Sequence, residues 1–135
     1  MSKGTHAETG SQVIPSSIIE DTASPRVRVK ANDDKADDPE ISPAMYGLGQ
    51  TIFTYRDHYK VIEHGGGLPG QKSLVTRLPD EMVGVAIMSN DEEFGTIFNE
   101  VARWFIVDDL LGLDPIDFKT RLVRMNSCLL QRPQP

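Results

Sequence analysis

Glycine is concentrated in one stretch of this chain, Glu63-His64-Gly65-Gly66-Gly67-Leu68-Pro69-Gly70, set between two apolar, strand-like runs. Backbone without Cβ atoms can approach a ligand closely and leave its amide N–H groups free to donate. The pattern predicts a glycine loop at one edge of a covered sheet, where it forms one wall of an enzyme site. A second wall is not evident in the sequence.

The elements that must position this loop follow it directly. Ser73 to Leu78 alternates, with Leu74, Thr76 and Leu78 on one face and Val75 and Arg77 on the other, the period of two that a sheet imposes. Leu78-Pro79-Asp80-Glu81 marks a turn. Val83-Gly84-Val85-Ala86-Ile87-Met88 is apolar at every position, which predicts a central strand covered on both faces. Asn90 stands at an N-cap position with Glu93 three residues on, the spacing of a capping box. Phe94, Ile97, Phe98, Val101, Ala102, Phe105 and Ile106 then recur at steps of three and four, one apolar stripe of a helix over about 91–111. Gly112 fits the C′ position and Pro115 blocks continuation.

Upstream, Thr51 to Tyr55 and Tyr59 to His64 are rich in β-branched and aromatic residues and flank a tight turn at Arg56-Asp57-His58. Residues 1–44 read as a poorly ordered segment. Within it, Ser16 or Ser17 caps a short helix through Asp21, Arg26 to Lys30 alternates like a solvated edge strand, and Ala31 to Glu40 is an acidic solvated loop. Residues 45–115 form the ordered sheet and helix. Residues 116–135 form an extension, with a basic helix over Asp117–Met125 and a fraying end from Gln131. The fold class expected is α+β, an antiparallel sheet of three to four strands with a C-terminal helix packed on one face.

Composition narrows the function classes. A chain of 135 residues, 39% hydrophobic and 25% charged, has material for one modest core. Its net charge of −6 argues against nucleic acid or an anionic membrane as partner, since both call for basic patches. No apolar run approaches the ~18 residues that cross a bilayer, and the first residues lack the apolar core of a secretory signal. A cytoplasmic location fits. The single cysteine, Cys128, reads as an inert thiol and precludes an internal disulfide. No cofactor is expected. His6, His58 and His64, with Asp57 or Glu63 nearby, show no recognised metal-ligand spacing. Trp104 and Phe105 read as packing residues.

Four motifs occur in order: Tyr46-Gly47-Leu48-Gly49, His64-Gly65-Gly66-Gly67-Leu68-Pro69-Gly70, Leu78-Pro79-Asp80-Glu81, and Val83-Gly84-Val85-Ala86-Ile87-Met88-Ser89-Asn90. In that order the chain resembles the C-terminal end of β-lactamase-related serine hydrolases, which include class C β-lactamases, penicillin-binding proteins and related esterases. The resemblance spans roughly residues 44–115. It implies an incomplete β-lactamase/transpeptidase-like fold and acyl transfer to or hydrolysis of β-lactam, peptide or ester substrates. It also implies that His64, Gly65 and Gly66 stand where the family has Lys-Thr-Gly or His-Gly-Gly, with Gly67 offering its N–H as half of an oxyanion hole. One such donor is worth about 3–4 kcal/mol at the transition state. Taken alone, His64 reads as a strand-end polar residue; with its neighbours it lines the site.

The same resemblance exposes a deficit. The family draws its nucleophile and base from Ser-x-x-Lys and a tyrosine from Tyr-x-Asn. None of the nine serines has lysine three residues on, and Tyr46, Tyr55 and Tyr59 begin no Tyr-x-Asn. No Gly-x-Ser-x-Gly elbow of the lipase type follows the histidine-glycine run either. The chain is therefore expected to be inactive alone. It would act beside an N-terminal half or an oligomer partner that covers an exposed apolar sheet face, or else be a non-catalytic binding or remnant α+β domain.

Overall fold

The computed structural model describes residues 4–29, 39–118 and 120. The acidic run at 31–38, Lys30, most of the basic helix expected over 117–125, Cys128 and the closing residues lie outside them. In chain order the elements are α1 (Ser16–Thr22), β1 (Val27–Arg28), β2 (Met45–Tyr46), β3 (Thr51–Tyr55), β4 (Tyr59–Leu68), β5 (Gln71–Leu78), β6 (Val83–Ser89) and α2 (Gly95–Leu111). The fold is α+β, with one antiparallel six-stranded sheet in the order β1-β2-β3-β4-β5-β6. The sheet is larger than the three to four strands expected. Of the two further strands, β1 falls within the Arg26–Lys30 alternation read as a solvated edge strand, and β2 is two residues, too short to show a period of two in sequence. They are held by pairing, Val27 with Tyr46 and Arg28 with Met45, then Met45 with Ile52 and Tyr46 with Thr51.

The chain divides into two compact units, Met1–His64 with Val75–Gly84, and Gly65–Leu74 with Val85–Pro135. In the first, β3 and β4 pair in register, Ile52 with Ile62 and Phe53 with Val61. All four of these side chains are buried. Because neighbours along a strand face opposite sides, this pair is covered on both faces. Ala23, just past α1, joins Ile52 and Ile62 in one cluster. Gly47 is compelled by that approach: a Cβ there would lie 2.8 Å from the Ser24 carbonyl oxygen and 2.9 Å from that of Thr22. Pro15, rather than Ser16 or Ser17, occupies the N-cap position of α1, and no side chain caps it.

The turn after β3 has Arg56 and Asp57 at φ 49° and 55°, with the His58 N–H donating to the Tyr55 carbonyl at 3.2 Å. Pro79 to Met82 form the turn between β5 and β6, closed by the Met82 N–H on the Pro79 carbonyl at 3.3 Å. The alternation of β5 is as expected, with Leu74, Thr76 and Leu78 buried and Val75 turned outward. Strand β6 differs from the expectation of a central, doubly covered strand. It closes the strand order at one edge, and Gly84, Ala86 and Met88 are exposed while Val85 is buried. Uniform apolarity shows that both faces resist water; it does not supply the neighbours that would cover them.

In the second unit, α2 begins at Gly95, later than the helix expected from about residue 91. Asn90 is not its cap. A preliminary turn precedes it, in which Asp91 Oδ1 accepts from the Glu93 and Phe94 N–H groups, both at 2.9 Å. An aspartate accepting two following amides satisfies donors that would otherwise be orphaned. The C-terminal end is as expected: Gly112 has φ 65°, and the Leu113 N–H donates to the Asp108 carbonyl at 2.8 Å. The burial of α2 is the larger departure. Asn99, Arg103, Trp104, Val107 and Asp108 are buried, whereas Phe94, Phe98, Phe105 and Ile106 of the apolar stripe are exposed. Trp104 stacks on Phe118 with ring centroids 5.5 Å apart. The Arg103 guanidinium lies over the Trp104 ring at 4.1 Å and pairs with Glu100 at 2.7 Å. A buried arginine is tolerated because both its charge and its flat face find partners. Beyond α2, the Thr120 N–H donates to Asp117 Oδ1 at 3.0 Å, the contact of a helix N-cap.

Candidate functional site

The residues His64-Gly65-Gly66-Gly67-Leu68 are strand, not loop, because β4 continues through them to Leu68. Only Pro69-Gly70 makes the turn into β5, with Gly70 at φ 77°. Proline followed by glycine suits a turn whose second central residue needs positive φ. Glycine is therefore required at Gly70 by conformation. At Gly66 the Ser73 hydroxyl lies well inside van der Waals contact of the place a Cβ would take, so that side-chain tip would have to rotate away to admit one. A Cβ on Gly67 would meet only the Lys72 side chain, at 3.6 Å, and one on Gly65 would find nothing nearer than the Ser73 carbonyl oxygen at 3.8 Å.

Gly66 and Gly67 line an open cleft of about 670 Å³ together with Ser73, Met88, Ser89 and Asn90. The bare backbone of β4 is one side of this cleft, Ser73 comes from β5, and Met88, Ser89 and Asn90 come from the end of β6 and the residue after it. The Pro69-Gly70 turn beside it is held by Glu92. The Gly70 N–H donates to the Glu92 carboxylate, and Lys72 Nζ stands 3.1 Å from Glu92 Oε1. The Gly70 hydrogen bond first, and then the Lys72 hydrogen bond and charge, hold the Glu92 carboxyl below the ordinary glutamate value. Lys72 is thereby committed to a carboxylate. The Ser73 hydroxyl makes no hydrogen bond among the described residues, and so has no base to activate it.

His64 lies elsewhere. It is exposed and lines a smaller pocket of about 320 Å³ with Gly49, Gln50, Glu63, Val75 and Arg77. The Arg77 guanidinium donates to the Gln50 side-chain oxygen, and the buried Thr76 hydroxyl donates to Glu63 Oε2 at 3.3 Å. Of the four residues singled out in the sequence, two line the cleft, His64 lines a different pocket, and Gly65 lines neither.

Ser73 and Glu92 were not singled out in the sequence. Glu92 meets Lys72 twenty residues away and Gly70 twenty-two away, separations no local period encodes. Among the described residues no three His, Cys, Asp or Glu side chains converge as a metal would require, and no helix is long and apolar enough to cross a membrane. The His6 ring nitrogen accepts from the Glu8 and Thr9 amides, and His58 packs edge-on against Tyr59 at 4.9 Å. Comparison with protein-family models, curated proteins and solved structures finds no match.

Proposed function

We propose that this chain is the C-terminal part of a β-lactamase-related serine hydrolase. It supplies the glycine wall against which an oxyanion is steadied, while a complementary N-terminal part supplies Ser-x-x-Lys and Tyr-x-Asn. The substrate class is an acyl compound: a β-lactam, a peptide or an ester. The observation that carries the reading is the cleft lined by the uncovered backbone of Gly66 and Gly67, in a chain whose four motifs run in the family's order. Support also comes from β6, an apolar strand that ends the strand order and so leaves one hydrogen-bonding edge open to a further strand.

The test is complementation. The purified chain is mixed with an N-terminal fragment of a full-length hydrolase of this family, using a chromogenic β-lactam and a short-chain p-nitrophenyl ester. Turnover in the mixture, and in neither part alone, is the expected result. A covalent adduct on the isolated chain, seen by mass spectrometry after exposure to either compound, would overturn the claim that it lacks a nucleophile.

A second reading, a non-catalytic binding or remnant domain, is favoured by one arrangement. His64 lines a pocket with Gln50 and Arg77, polar groups that suit binding and need no nucleophile. Complementation without turnover, despite demonstrated association of the parts, would select this reading.

A further inference from the structure

The outward face of α2 is the feature least accounted for by the molecule itself. Phe94, Phe98 and Phe105 are 57, 58 and 66% exposed, although each could bury a large apolar ring. At 100° per residue they fall within one narrow sector with Val101, which is half-buried. Steps of four, three and four give three turns of helix, about 16 Å of continuous apolar ridge. The opposite side of the same helix is turned inward with Asn99, Arg103 and Val107. The helix thus buries Asn99, Arg103 and Asp108 beside Trp104 and Val107 while three phenylalanines face water, unlike an ordinary surface helix.

Charge indicates what covers the ridge. From Asp91 to Phe118 the chain carries Asp91, Glu92, Glu93, Glu100, Asp108, Asp109, Asp114 and Asp117, against Arg103 as the only lysine or arginine before Lys119, Arg121 and Arg124 follow. That arginine is buried and paired with Glu100. Glu93 stands at the N-terminal end of the ridge, and Asp109, four residues after Phe105, at its C-terminal end; both are exposed. A second copy would set these acids against one another in either orientation. We infer that α2 docks a basic amphipathic helix of a partner protein, whose apolar face seats on Phe94, Phe98 and Phe105 and whose lysines or arginines meet Glu93 and Asp109. Such helix-on-helix recognition uses anchors at three- and four-residue steps with charges at the flanks. The inference uses α2 alone and does not rest on the hydrolase reading.

The test uses the full chain and two synthetic helical peptides with the same leucine face, one flanked by lysines and one by glutamates. Binding is read by fluorescence anisotropy, and the contact is located by NMR shift changes. The lysine peptide is expected to bind at least tenfold tighter than the glutamate peptide, to shift the α2 amides, and to weaken several-fold as salt rises. Phe98→Ser with Phe105→Ser should reduce its affinity at least tenfold. Glu93→Lys with Asp109→Lys should abolish the preference between peptides. Both pairs of changes are on exposed positions, so an unchanged unfolding curve and Trp104 emission serve as the folding control. Equal binding of the two peptides would overturn the inference. So would lysine-peptide binding that ignores the loss of both phenylalanines, or concentration-dependent dimerisation of the chain that those substitutions remove.

Discussion

At the scale of single residues, the glycines of this chain answer to different physical demands. Gly49 and Gly70 have φ of 77°, a conformation L side chains rarely adopt. Gly47 has no such need; it is confined by the Thr22 and Ser24 carbonyl oxygens at the end of α1. Backbone atoms cannot swing aside as a side-chain tip can. Gly47→Ala is therefore expected to cost about 1–3 kcal/mol, the range for overpacking a filled site. Urea unfolding followed by circular dichroism would measure it. At Gly67, where a Cβ would meet only a flexible lysine, the same change should leave stability nearly unchanged. The Tyr46-Gly47-Leu48-Gly49 motif was readable in sequence as two glycines, but not as one needed for space and one for φ. The space at Gly47 is defined by residues more than twenty positions away.

Among elements, the hairpin of β4 and β5 is the one whose stability should follow pH. Its turn depends on Glu92 being ionised, since a protonated carboxyl would lose the Lys72 attraction and weaken as acceptor for the Gly70 N–H. The Glu92 pKa is lowered in the folded chain, chiefly by the Gly70 hydrogen bond and then by Lys72. A group with a depressed pKa lends its stabilisation above its unfolded value and surrenders it as pH falls through the folded one. Hydrogen exchange of the Gly70 amide should thus be slow at neutral pH and lose protection on acidification below the ordinary glutamate range. In Glu92→Gln that pH dependence should vanish. A Gly70 amide equally protected at both extremes would show that the carboxylate does not hold the turn.

Elements also show what sequence reading can and cannot reach. Alternation in β5 put Leu74, Thr76 and Leu78 on one face, the face that is buried, and Gly112 marked the end of α2, because both depend on neighbours in sequence. The apolar ridge of α2 was equally legible as a ridge, but not the direction in which it faces. Periodicity tells which residues share a face. Which face turns inward is decided by contacts such as Trp104 on Phe118 and Arg103 on Trp104, and these have no counterpart in a hydrophobic count. The glycines that line the cleft could be picked out by their run in sequence, but the clasp of Glu92 on Gly70 joins residues whose partnership only folding creates.

For the molecule as a whole, β6 is the exposed flank. It ends the strand order and carries no lysine or proline along Val83-Gly84-Val85-Ala86-Ile87-Met88-Ser89. Natural sheets commonly protect such edges with those residues. Ala86→Lys, at an exposed position of the strand, should raise the concentration at which the isolated chain stays monomeric. Light scattering across a dilution series would show it, and an unaltered aggregation threshold would mean that β6 is not the route of self-association.

The unguarded β6 margin also bears on supply. Under the proposed pairing with an N-terminal part, chain made in excess of that part would be left to precipitate or be degraded. The amount that survives would then follow the supply of that part, bringing the two to matched abundance without any dedicated regulator.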